Sequence, residues 1–248
     1  MMSSRDGANG RVRAVLVFGQ GDTAKAVVTT ITARLRKGGS RKQLIVRRPA
    51  QFDDDLLRHL EDTVLPMIDR LASLLRPQMR RPAFDLAVTN LAAASTHDRG
   101  MLISGYSADA AIFLALLSAL LELPVPQSLI CSAHVGSFAG ELRQVASMPA
   151  KLVAACKGPG IRTFVYAPTD ADQSLRELAP EIAALVADAL RLAKTPLQQV
   201  PVADVGQLVR AVFRDEAIVR ASLRAGFFEL QQPLEDDGSA ILAAAKYL

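Results

Sequence analysis

The sequence contains no tryptophan, two cysteines and three histidines, and only 5% of its 248 residues are aromatic. Each shortage excludes something. So few rings leave little for nucleic-acid bases to stack on, which argues against a single-strand-binding role. Cys131 and Cys156 stand in apolar surroundings without a C-x-x-C spacing. That predicts two buried, reduced thiols, with one disulfide as the alternative, and no metal knuckle. His59, His97 and His134 are isolated along the chain, so no metal ligand set and no cofactor is expected. No apolar run is long enough to cross a bilayer comfortably, because the stretch from Ala110 to Leu121 ends at Glu122. The opening MMSSRDGANGRVR has no apolar core of a signal peptide. A soluble, cytoplasmic protein without membrane contact is the expectation. A phosphate-binding loop is missing as well: GQGDTAK has neither the G-x-x-x-x-G-K-[ST] spacing nor its hydroxyl, and its glycines read as a turn.

Half of the residues are hydrophobic, enough for one sizeable core. Lys and Arg number 29 against 25 Asp and Glu, and many of the bases gather early, in RLRKGGSRKQLIVRR and RPQMRRP. Such a segment is either a solvated face or a patch for an acidic partner or nucleic acid; the scarcity of aromatics makes nucleic acid the weaker reading. Steep salt dependence of binding would be its signature.

Hydropathy patterning gives a mixed order of elements. VRAVLVFG reads as a buried strand, and the β-branched cluster Val27 to Thr32 favours a second. FDDDLLRHLEDTVLPMIDRLASLLRP has helical spacing, with Asp53, Asp54 and Asp55 at the positive end of its dipole. FDLAVTNLAA reads as a strand, a polar turn and GMLISG deliver the chain to Ser107, and a wholly apolar helix follows at about 108–122. SLICSAHVG, GELRQV and IRTFVYAP are further strand candidates; MPAKLVAACK and PEIAALVADALRLAK are helices, and VPVADVGQLVRAVF a short strand and helix. The fold class is α/β of the α+β type, with small sheets and helices around one core. The domain reading is a flexible N-terminus at 1–10, one domain at 11–214 and a less patterned C-terminal extension at 215–248, whose LEDDGS reads as a loop. FDDDLL as a cation site is the poorer account of carboxylates that suit a helix start.

The chemistry gathers around Gly105-Tyr106-Ser107-Ala108-Asp109. A serine in this setting, ahead of a helix, is either a nucleophile on a turn or a helix N-cap. An α/β-hydrolase elbow is excluded, because no histidine lies in the last hundred residues. A lysine neutralised by burial can instead act as general base. Lys151, 44 residues after Ser107, is the only base in the apolar SMPAKLVAAC, and the helix after Ser107 would aim free amides at an oxyanion.

From Phe84 to Ala167 the chain resembles the proteolytic domain of Lon proteases. Ser107 matches the serine of that family's Gly-Pro-Ser-Ala-Gly, LELPVP is similar to its Gly-x-Pro-Val turn, and KLVAACKGPGIRTFVYAP matches its lysine helix and following strand through Lys151, Leu152, Ala154 and Ala155. Weaker similarity reaches VRAVLVFG and VPVADVGQLV. The resemblance implies the Lon proteolytic fold and an ATP-independent serine endopeptidase with a Ser107–Lys151 dyad acting on protein or peptide. It implies Ser132, at the position of the family's threonine, as the hydroxyl that orients the lysine. Gly105, Tyr106, Ala108 and Asp109 would border the oxyanion and substrate. It further implies a homo-oligomer of hexameric type, and, with no ATPase in the chain, a separate ATPase or regulatory partner. Tyr106 for proline, Asp109 for glycine, His134 for glutamate, and Ala146-Ser147 and Pro149 before the lysine depart from the family pattern. They support the alternative, a catalytically inactive scaffold or sensor.

Overall fold

A computed structural model describes residues 9–18, 25–36, 42–76, 79, 81–89, 101–168, 180–193 and 196–230. The chain is mixed α/β. Its strands are β1 (Arg11–Phe18), β2 (Lys25–Leu35), β3 (Leu44–Arg47), β4 (Ala50–Phe52), β5 (Phe84–Thr89), β6 (Met101–Ile103), β7 (Leu129–Ser132), β8 (His134–Val135), β9 (Leu142–Arg143), β10 (Thr163–Tyr166) and β11 (Gln198–Pro201). Its helices are α1 (Asp54–His59), α2 (Leu65–Leu75), α3 (Asp109–Leu121), α4 (Met148–Lys157), α5 (Pro180–Leu192), α6 (Val205–Val212) and α7 (Asp215–Leu230).

Seven strands form one sheet in the order β11-β10-β7-β1-β2-β5-β3. β1 and β2 are antiparallel from Arg11↔Thr32 to Phe18↔Lys25, whereas β7 runs parallel to β1 and β10 parallel to β7. Alternation along β1 sorts its side chains between two layers. Val12, Ala14 and Leu16 join the core around α3, while Val15 joins a second cluster with Met148, Leu152, Ala155 and Phe164. The sheet thus carries α3 on one face and α4 on the other.

All thirteen residues of α3 are buried, as expected for a helix that is apolar all round. Its outer side is covered by Leu60, Val64, Ile68 and Ala72 of the α1–α2 segment and by Ile218 and Ala221 of α7. α1 is capped by the Asp53 carboxylate, which accepts from the Leu56 amide at 2.8 Å. Between α1 and α2 one π-helical turn spans Leu60–Val64. Pro66 has no amide hydrogen to give, and its ring crowds the carbonyl four residues earlier, so a widened turn lets the helix continue past it.

The strands and helices read from periodicity are present where they fall on described residues, including the strand at Val27 to Thr32. Several findings depart from the sequence reading. Separate small sheets give way to one seven-stranded sheet with two two-stranded ones, β4-β6 and β8-β9. QLIVRRPAQF, read only as part of a basic stretch, supplies β3 and β4, because Leu44 and Val46 pack inward while the arginines stay out. The start of the less patterned C-terminal extension is the helix α7, held by Ile218 and Ala221 in the main core. The rest of that extension, from 231, and residues 1–8, read as a flexible start, lie outside the described residues.

One buried polar contact closes the packing around α3. The Ser118 hydroxyl accepts from the Gly10 amide at 2.8 Å and donates to the Leu123 carbonyl, tying the first bridge of the chain to the turn after the helix. Gly10 has φ 72°, and a Cβ there would lie 2.1 Å from the Ala33 carbonyl oxygen, so no other residue fits. Ser118→Ala strands a buried donor and a buried acceptor and is expected to lower stability by about 1–3 kcal/mol, read as a shift of the urea midpoint without a change in slope.

Candidate functional site

The serine turn is set by strand pairing beneath it. β6 runs parallel to β4, and the Asp53 amide donates to the Ile103 carbonyl at 3.1 Å. The chain then turns through Gly105, whose φ of 74° suits glycine, and enters α3. Ser107 is half-buried and makes no hydrogen bond among the described residues. It does not cap the helix: the N-cap position falls to Ala108, and no side chain accepts from the first turn. The Asp109 amide donates to the Tyr106 carbonyl at 3.2 Å, and the next amides of the first turn have no side-chain cap.

Asp109 is the best-anchored group of the site. It has no exposed surface, and its carboxylate has three polar partners. The Val135 amide donates to Oδ1 at 3.0 Å, while His59 Nε2 and His134 Nδ1 both face Oδ2, at 2.9 and 2.7 Å. The three rings around this oxygen touch one another. Tyr106 stacks on His134 with centroids 4.8 Å apart, and His59 lies 4.9 Å from Tyr106 and 5.0 Å from His134. The reading of three isolated histidines is thus corrected: two of them meet on a carboxylate that lies 50 and 25 residues away in sequence. No local spacing could have revealed this, since each partner comes from a different element. His97 lies outside the described residues.

Lys151 occupies the first turns of α4, on the face that also presents Met148, Leu152 and Ala155 to the sheet. It is 1% exposed, and its side chain has neither a hydrogen bond nor an ion pair among the described residues. Burial alone lowers its pKa from 10.5 to about 8. Roughly a tenth of it is then the free amine at pH 7. Ser132 lies on the same side of the sheet: Leu129 and Cys131 belong to the α3 layer and Ile130 to the α4 layer, so alternation turns Ser132 toward α4. Its hydroxyl is buried and has no hydrogen-bond partner among the described residues. Ser132 lies at the carboxyl end of β7, and the Val135–Asp109 bond brings the start of α3 to the residues that follow it. Ser107 and Lys151 share no hydrogen bond.

Other candidates resolve differently. Both cysteines are free, but only Cys131 is fully buried; Cys156 is half-buried. Burial, helped by the charge of Asp109, pushes the Cys131 thiol up to about 12, which makes it an inert core residue. Part of the early basic segment is not a free patch, because Arg36 and Arg47 both pair with Asp85 of β5, at 3.7 and 2.8 Å. An apolar groove of about 260 Å³ lies among Leu71, Leu74, Leu121, Phe138, Val209 and Ile218, and neither Ser107 nor Lys151 lines it. Among the described residues no helix is long and apolar enough to cross a membrane.

The lowered pKa of Lys151 gives a signed stability effect. Between pH 8 and 10.5 the unfolded lysine holds a proton that the folded one has lost, so stability rises with pH across that window. Below it the buried charge costs its full amount, up to about 3 kcal/mol. Lys151→Met is expected to be more stable than the wild type at pH 7 and to lose this rise, as read by urea unfolding at pH 7, 8, 9 and 10. Parallel pH profiles for the two proteins would show that Lys151 is not held in this way. Comparison with known protein families and with curated proteins finds no match for this chain.

Proposed function

We propose that the chain is an ATP-independent, Lon-like serine endopeptidase in which Ser107 attacks the peptide carbonyl and Lys151 takes its proton. The observation that carries this reading is the buried, unpaired Lys151 with a pKa near 8, facing the layer into which Ser132 turns an unpartnered hydroxyl. Such a lysine is an unfavourable core residue and a competent general base. Ser132 has the donor and acceptor needed to orient it. The attack forms the acyl ester on Ser107 Oγ and passes the serine proton through Lys151 to the leaving amine; water then hydrolyses the ester by the same route. Uncapped amides at the start of α3 supply donors for the oxyanion.

Several departures from the Lon pattern are met by local structure. Ser147, where the family has one of its glycine pair, holds φ 61°, a backbone that glycine adopts freely. Pro149 sits in the first turn of α4, where a missing amide costs nothing. Asp109 and His134, two further departures, satisfy each other across 2.7 Å. The Asp109 charge is therefore engaged by three partners rather than left open toward a developing oxyanion.

The alternative, a scaffold or sensor of the same architecture without catalysis, is favoured by one observation: Ser107 and Lys151 are not hydrogen-bonded in the isolated chain. A protein or peptide substrate, a hexameric ring, or a separate ATPase partner would complete the dyad in the first reading and have nothing to complete in the second. Labelling separates them. The wild type is expected to form one covalent adduct with a fluorophosphonate or peptide boronate, seen by intact mass. Ser107→Ala should abolish it and Lys151→Ala should slow it by about a hundredfold or more, both variants remaining folded by circular dichroism. Ser132→Ala should slow labelling by about tenfold. No adduct on folded wild type in the presence of peptide substrate, or an adduct unchanged in Ser107→Ala, would exclude the dyad.

A further inference from the structure

We propose that His59, Asp109 and His134 form a binding site for one divalent transition-metal ion of the zinc class, independent of whether Ser107 is catalytic. Each residue offers one ligand atom, and the three atoms lie within 4.8 Å of one another. They come from three elements, the end of α1, the first turn of α3 and β8, so the fold rather than a local motif brings them together. Two imidazole nitrogens and one carboxylate oxygen are the donor set that suits zinc, cobalt or nickel; calcium and magnesium prefer oxygen throughout.

The details favour an ion over a hydrogen-bond cluster alone. Both rings aim at the same oxygen, Asp109 Oδ2, so two imidazole nitrogens and a carboxylate oxygen converge on one point at the edge of the core. Neither ring makes a hydrogen bond through its other nitrogen among the described residues, so each is free to turn. Metal–ligand bonds of about 2.0–2.2 Å place tetrahedral ligands about 3.3 Å apart. The present nitrogen–oxygen gaps of 2.9 and 2.7 Å open to that value, and the span between the two nitrogens narrows, through small ring rotations. On binding, each ring carries its proton on the nitrogen away from the ion, and Asp109 Oδ2 supplies the negative charge. Oδ1 keeps the Val135 amide, which orients the carboxylate as a supporting contact does in established sites.

Access is present too. The His59 and His134 side chains are 14% and 19% exposed beside a fully buried Asp109, so an ion can arrive from solvent and leave one coordination position to water. Tyr106 lies against both rings and limits that opening on one side. This departs from the sequence reading, which expected no metal. An ion here would fasten α1, α3 and β8 together and hold the turn through Tyr106 and Ser107 rigidly.

The test uses the full chain, stripped with chelator and then titrated with zinc, and separately with cobalt. Expected are one zinc per chain by mass spectrometry and calorimetry, a rise in Tm with zinc, and visible cobalt bands of a four-coordinate site. His59→Gln and His134→Gln keep an amide donor for Asp109 and should bind zinc more weakly by about tenfold or more while folding normally. Should either variant fail to fold, carbethoxylation of the wild type decides: zinc should protect His59 and His134 from the reagent, as mapped by peptide mass. No zinc binding by the folded wild type, undiminished binding in both glutamine variants, or unprotected histidines would overturn the site. Failure of the Ser107 labelling would leave these readouts untouched.

Discussion

A carboxylate with no exposed surface survives folding only if the protein replaces its water. Asp109 meets that condition with one backbone amide and two imidazoles, drawn from β8 and the end of α1. Because Asp109 begins α3, these bonds fix where the helix starts. α3 has no exposed residue along its length, so its start also sets the register of the layer packed between the sheet and α2 and α7. Removing one partner would leave a charge in the interior with too few contacts, a loss of about 3–5 kcal/mol in typical buried pairs. The serine turn inherits this rigidity, since Ser107 lies two residues before the anchor.

The same interior treats a second charge in the opposite way. Lys151 is as buried as Asp109 but has no counter-charge, and Ser132 has no hydrogen-bond partner among the described residues. A core built only for stability would place an aliphatic side chain at each position. Unpaired polar groups in a well-packed layer are stored cost, and stored cost concentrates where chemistry is done. Two of them turned into one layer weigh more than either alone.

Much of this fold is legible in the chain itself. β1, β2, β5, β7 and β10 follow from alternating or continuous apolar runs, and α3 from an apolar stretch too long for a strand. The placement of Ser107 ahead of a helix and of Lys151 on an apolar helix is equally plain. What escapes has no local signature. β3 is hidden by the arginines around Leu44–Arg47, of which Arg47 pairs with Asp85 across the sheet. α7 lacks a clean stripe and is held instead by two buried positions, Ile218 and Ala221. The histidines fall furthest outside reach, because a ligand or hydrogen-bond cluster assembled across three elements is a property of tertiary packing alone.

These two buried charges also constrain how the proposed peptidase would assemble. α3 and α4 lie on opposite faces of the sheet, so in the proposed dyad Ser107 and Lys151 would have to meet around an edge or an end of it. The Asp109 anchor holds the serine turn against β8 and leaves it little freedom to travel. Lys151, a long and flexible side chain tied to nothing among the described residues, is the partner that can move. In the proposed dyad Ser132, whose buried hydroxyl has no partner among the described residues, would receive it. The division of labour would be physical: the fully bonded carboxylate fixes the turn that carries Ser107, and the unbonded lysine would supply the reach of the proposed dyad.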